Sequence, residues 1–200
     1  MSLLIENLTV YYQTLRGNVQ ALEHANLTIA DGEIMGLAGE SGCGKTTLST
    51  SLIRLVPPMK LIEGKVLLDG VQLPLAKEPE MNEFRYRKVS VIPQYAMNAM
   101  NPTRKIGLMI SELLTSKGVS YKHTLPELKR RLCLVNLSED VLDRYPIELS
   151  GGMKQRMVMV ISTLLDPSLL IADEITSALD VSSQKYVSEM LVQFRDQKIV

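Results

Sequence analysis

Residues Gly39 to Thr47 read GESGCGKTT and set three glycines, a lysine and two threonines at the spacing G-x-x-x-x-G-K-[ST]. The residue types suit phosphate. Gly39, Gly42 and Gly44 allow a tight turn in which successive backbone N–H groups face inward, and a helix starting near Lys45 adds its positive end to that anion nest. Lys45 supplies a cation for β- and γ-phosphates and Thr46 a hydroxyl for Mg²⁺, while Ser41, Cys43 and Thr47 complete the nucleotide cradle. A second pair of residues points the same way. In LLIADE, Leu169 to Glu174, two acids end an apolar run. A Mg–nucleotide at the C-terminal ends of parallel strands needs an acid on a neighbouring strand, which Asp173 provides, and Glu174 then stands where a base orients an attacking water. Two carboxylates at a dry strand end are costly unless the metal and Lys45 offset them.

The flanking patterns predict the elements that must hold these residues. EIMGLAG reads as a short buried strand feeding the glycine-rich loop, and TTLSTSLIRLV as the helix that follows, with Leu48, Leu52 and Leu55 at helical spacing until Pro57-Pro58. Before and after it, LLIENLTVYY alternates, and ANLTIADGE and GKVLLDG end on Asp-Gly turns, which predicts a small antiparallel sheet. After the strand VSVI, Val89 to Ile92, the pattern turns helical from Pro93 to Tyr145. Thr124, Pro126 and Glu127 read there as N-cap, first-turn proline and capping-box partner of a helix. A further helix opens at Ser150 and runs to Asp166-Pro167, the strand LLIAD follows, and Val187, Met190, Leu191 and Phe194 mark one more helical face before KIV begins another strand. Strands and helices alternate around a mainly parallel sheet, so the fold class is α/β.

Two hundred residues, 46% of them hydrophobic, suit one domain. Lys plus Arg and Asp plus Glu number 22 each, so no net field draws the chain to nucleic acid or to an anionic membrane surface. Cys43 and Cys133 lie far apart without a leader segment, which argues for reduced thiols in a cytosolic setting. The most apolar run, Met157 to Leu165, falls well short of the roughly 20 residues of a spanning helix.

Four elements now stand in order: GESGCGKTT, the glutamine of VIPQYAMNAMNP (Gln94), LSGGMKQR at Leu149 to Arg156, and LLIADE followed by SALD. Together they resemble the ATPase subunit of an ATP-binding cassette (ABC) transporter, along essentially the whole chain. The resemblance implies a P-loop NTPase (RecA-like) core with an N-terminal antiparallel β subdomain, over residues 1–92 and 161–200, and a helical signalling subdomain over 93–160. It implies that Tyr12 stacks on adenine, with Tyr11 as the fallback, and that Gln94 contacts Mg²⁺ and the attacking water. Ser150, Gly151 and Gly152 would face the γ-phosphate held by a second ATPase subunit, in an ATP sandwich. Ser177 to Asp180 would cross the dimer interface, with Asp180 near the nucleotide, and Glu174 would be the general base. ATP and Mg²⁺ are the implied cofactors; the implied partners are a second ATPase subunit, permease subunits and an extracellular solute-binding protein. The implied location is the cytoplasmic face of the membrane. QYAMNAMNP and YPIELSGGMKQR look most like the ATPases of oligopeptide, dipeptide and nickel importers.

The sequence departs from the family twice. Ile175 stands where the family has proline, which leaves the backbone carrying Glu174 less stiff. The family histidine that contacts the γ-phosphate has no counterpart before Val200, and His24 and His123 fall in other parts of the chain. The chain therefore reads as C-terminally truncated, expected to bind nucleotide and hydrolyse it poorly. Two alternatives stay open: a non-catalytic nucleotide-binding module, and a non-transport soluble ABC ATPase.

Overall fold

The computed structural model describes residues 2–93 and 100–173, which divide into two compact units, 2–91 with 166–173 and 92–165. In the first unit, β1 (Leu3–Thr14) turns at Leu15-Arg16 into β2 (Gly17–Ile29), with Leu3 opposite Ile29 and Tyr12 opposite Val19. β1 also pairs with β3 (Met59–Leu68), which pairs with the short β4 (Val71–Gln72). The order is β2-β1-β3-β4 and every pairing is antiparallel, as the alternating sequence predicts. Leu3, Ile5, Leu8 and Val10 of β1 are buried with Val66 and Leu68 of β3, and Leu73, Leu75, Met81, Val89 and Leu169 complete that core. The two-residue period is interrupted between Ile5 and Tyr11, where the register of β1 shifts against both neighbours; Asn7 takes a positive φ there and Gly64 of β3 meets it at φ +96°. A Cβ on Gly64 would lie 2.4 Å from the Asn7 carbonyl oxygen, so the strands approach there only because Gly64 has none.

α1 (Lys45–Ser51) follows the glycine-rich loop and is shorter than the leucine spacing predicts, with Leu52 as its C-cap. α2 (Glu78–Phe84) and β5 (Val89–Ile92) come next, and β5 pairs with β6 (Leu169–Ala172). Residues 33–39, expected as a buried strand, join no ladder among the described residues, and Ile34 and Leu37 are 40% and 52% exposed. The physical reason is that a strand exists through the hydrogen bonds to its neighbours: β5 and β6 pair with each other, and no described strand pairs with the edges of 33–39.

The second unit is helical. α3 (Ile106–Ser116) buries Ile106, Ile110 and Leu114 at four-residue spacing. α4 (Tyr121–Leu134) buries Leu128 and Leu132, and a 3₁₀ turn at Glu139–Asp143 buries Val141. α5 (Gly151–Thr163) buries Met157, Val158, Met159 and Val160 in succession. The start of α4 corrects the sequence reading. The helix begins at Tyr121 with Ser120 as N-cap, Pro126 lies inside it, and the Thr124 hydroxyl donates back to the Ser120 carbonyl at 3.0 Å. Glu127 does not reach back to cap; it turns to Arg130 and Arg131, because two guanidinium groups outbid one backbone N–H for its carboxylate.

Candidate functional site

The glycine-rich loop enters α1 through Gly44, whose φ of +96° belongs to the left-handed region. A Cβ there would lie 2.7 Å from the Ala21 carbonyl oxygen and 3.0 Å from Leu22 Cδ2, so β2 presses against the loop at this point. Lys45 opens α1 and curls its side chain back over the loop. Its ammonium donates to the carbonyl oxygens of Gly39 at 2.8 Å and Glu40 at 2.7 Å, with Cys43 Sγ at 3.5 Å. These are neutral partners. A phosphate oxygen arriving at the loop would offer the ammonium a charged acceptor in their place, and charge-assisted bonds are about twice as strong as neutral ones. Thr46 is exposed, and Thr47 is buried with its hydroxyl 3.1 Å from the Tyr12 hydroxyl. β1 is thus tied to the first turn of α1 by one side-chain pair. Tyr11, on the opposite face of the strand, instead accepts from Gln20 Nε2 at 3.0 Å.

Arg85 secures the far end of α1. Its Nε donates to the Ile53 carbonyl oxygen at 2.9 Å, and its two terminal nitrogens make 2.7 Å bonds to the two carboxylate oxygens of Glu78. The Arg85 hydrogen bonds hold the Glu78 carboxyl below its ordinary value. The sequence reading singled out neither residue, and a Glu and an Arg seven apart across a short helix leave little local signal. Asp173 follows β6 in the same unit and is half-buried, with a polar partner of its own. Thr46 and Asp173 offer hard oxygen donors, the set that suits Mg²⁺, which takes one or two protein oxygens and fills its other positions from phosphate and water. Among the described residues no cluster of three His, Cys, Asp or Glu side chains forms a closed metal site.

In the helical unit, Ser150 is the N-cap of α5 and its Oγ accepts from the Met153 N–H at 3.3 Å, as the sequence predicts. Gly151 and Gly152 form the first turn, so neither puts a side chain of its own over the helix N-terminus. Gln94, Glu174, Ser177 and Asp180 lie outside the described residues.

The fold is that of the α/β P-loop NTPases. It superposes with a TM-score of 0.81 and 26% identity on a dimeric ATP-binding cassette, MJ0796, in a post-hydrolysis state bound to ADP and Pi, covering 99% of this chain and 85% of that one. The ABC transporter family model matches residues 22–177, and the chain belongs to that family. It is 34% identical over 195 residues to the dipeptide transport ATP-binding protein DppD of Caldanaerobacter subterraneus subsp. tengcongensis, covering 96% of this chain and 60% of the relative. It is 36% identical over 196 residues to DppD of Bacillus subtilis (96% and 58%) and 35% identical over 194 residues to the oligopeptide transport ATP-binding protein OppD of that organism (94% and 54%). The chain therefore spans somewhat more than half the length of the curated relatives it matches. Among the described residues no helix is long and apolar enough to cross a membrane.

Proposed function

We propose that this chain is the ATP-binding and ATP-hydrolysing part of an ABC importer subunit that serves dipeptides or oligopeptides. The observation that carries the reading is Lys45 folded over its own loop carbonyls, in a chain about 35% identical to peptide-transport ATP-binding proteins. The loop from Gly39 to Thr47 holds the β- and γ-phosphates, Lys45 exchanging its carbonyl partners for phosphate oxygens. Tyr12, tied to Thr47, presents its ring to adenine. Thr46, Gln94 and Asp173 hold Mg²⁺, which when bound neutralises charge on the phosphates. Glu174 accepts a proton from a water positioned by Gln94; that water's oxygen bonds to the γ-phosphorus, the bond to the bridging oxygen breaks, and ADP and phosphate result.

Ser150, Gly151 and Gly152 of one subunit complete the nucleotide site of a second, with Asp180 at the interface. Closing the pair excludes water, and hydrolysis lets it open. The helical subdomain, residues 93–160, passes that motion to permease subunits at the cytoplasmic face of the membrane, fed by a solute-binding protein outside. The peptide substrate rests on the relatives' names and on the likeness of QYAMNAMNP and YPIELSGGMKQR to the peptide and nickel importers.

The test uses the full-length protein. Lys45→Ala is expected to weaken ATP binding by about a hundredfold, two charge-assisted bonds' worth. Glu174→Gln is expected to bind ATP, dimerise on it and lose turnover. ATP binding that survives Lys45→Ala unchanged would remove the phosphate loop from the reading, and a slow rate indifferent to Glu174→Gln would mark a non-catalytic module instead.

A further inference from the structure

At the C-terminal end of each helix that leaves a candidate loop, a carbonyl accepts from an arginine of another element. Beyond the last turn of α1, Ile53 accepts from Arg85; at the last residue of α5, the Thr163 carbonyl oxygen accepts from Arg131 Nη1. Arg131 is 7% exposed, and its Nε donates to Glu127 Oε1 at 2.6 Å. Glu127 is fixed in turn by Arg130, whose Nε and Nη2 lie 2.7 Å from its two oxygens. The Thr163 hydroxyl bonds back to Met159 O at 2.8 Å, so the side chain joins the helix and the carbonyl is left to α4. Burying a guanidinium to this degree is a poor route to stability, since apolar replacements of buried ion pairs are often neutral or better. What the group supplies is direction. A planar fork accepted by a carbonyl on one helix and a carboxylate on another admits one relative orientation, where two apolar faces would slide.

The lever is long. α5 has 13 residues, and at 1.5 Å per residue a tilt of about 10° at Thr163 moves Ser150 by about 3 Å. We propose that Arg131, oriented by Glu127, is a positioning residue for the Ser150–Gly152 segment: it pins the far end of α5 and so aims the helix N-terminus at the nucleotide of the opposing subunit. This rests on the sandwich reading above. Arg85 is its counterpart on α1 and supplies an internal comparison, because it lies in the phosphate-loop unit.

The experiment compares Arg131→Met and Arg85→Met in the full-length Glu174→Gln protein. The readouts are affinity of the single subunit for a fluorescent ATP analogue, and ATP-driven dimerisation by analytical ultracentrifugation. Arg131→Met is expected to weaken dimerisation about tenfold and leave single-subunit affinity within about twofold, the scale of positioning effects. Arg85→Met is expected to reduce single-subunit affinity. Arg131→Lys, which keeps the charge and loses the fork, is expected to fall between Met and the parent and carries the test if Arg131→Met does not fold. Dimerisation equal to the parent's in a folded Arg131 variant overturns the proposal. A parent that does not dimerise on ATP sinks the sandwich reading instead, and amide exchange then decides the clamp. Faster exchange at Met153 and Lys154 in Arg131→Met supports it, and unchanged exchange overturns it.

Discussion

At Gly44 and Gly42 the same residue type answers two different demands. Both have positive φ, +96° and +83°, but only Gly44 also faces backbone, with Ala21 O 2.7 Å from where a Cβ would stand, while Gly42 has nothing within 4 Å. Gly42→Ala is therefore expected to cost only the left-handed strain, about 1–2 kcal/mol, and Gly44→Ala about 3 kcal/mol or more, because β2 must also shift. Urea denaturation of the two variants measures this, and equal losses would show that β2 does not press on the loop. The glycine spacing made the loop legible in the sequence; that one glycine is held by a neighbouring strand was not, since Ala21 lies on a different element. The same holds for Tyr12, whose tie to Thr47 joins residues 35 apart.

Among the elements, α5 matched its reading and α4 did not, for one physical reason. A cap is a contest between a side-chain oxygen and its competitors. At Ser150 the hydroxyl takes the Met153 N–H. Ser150→Ala is expected to destabilise the protein by about 1 kcal/mol and Ser150→Gly by only a few tenths, measured by thermal or urea unfolding. A loss of several kcal/mol with Ala would mean that Ser150 holds more than its own helix. At Thr124 the apparent capping box lost Glu127 to Arg130 and Arg131, three and four residues on, the spacing at which helical side chains meet. That competition was written in the sequence as E-x-x-R-R, and the helix starting a turn earlier at Tyr121 is what brought those residues onto one face.

Across the whole molecule the equal numbers of acids and bases hide local pairings that set its response to acid. The hydrogen bonds from Arg130, and then those from Arg131, hold the Glu127 carboxyl at about 2 against an ordinary 4.5. A carboxyl lowered by folding contributes stability that is fully present above about pH 4.5 and is lost as pH falls towards about 2. The thermal midpoint is therefore expected to fall across that window less steeply in Glu127→Gln than in the parent, and identical slopes would remove Glu127 from the acid response. The phosphate loop, the Ser150 cap, the antiparallel hairpins and the family itself were determined by residues close together in sequence, where spacing and side-chain chemistry act over one turn or one strand. Only the tertiary structure decided that 33–39 stays outside a described ladder, that β2 closes on Gly44, and that Arg85 and Arg131 hold the ends of the two site helices. Those contacts join residues tens of positions apart, and no local pattern encodes which carbonyl a buried guanidinium will meet.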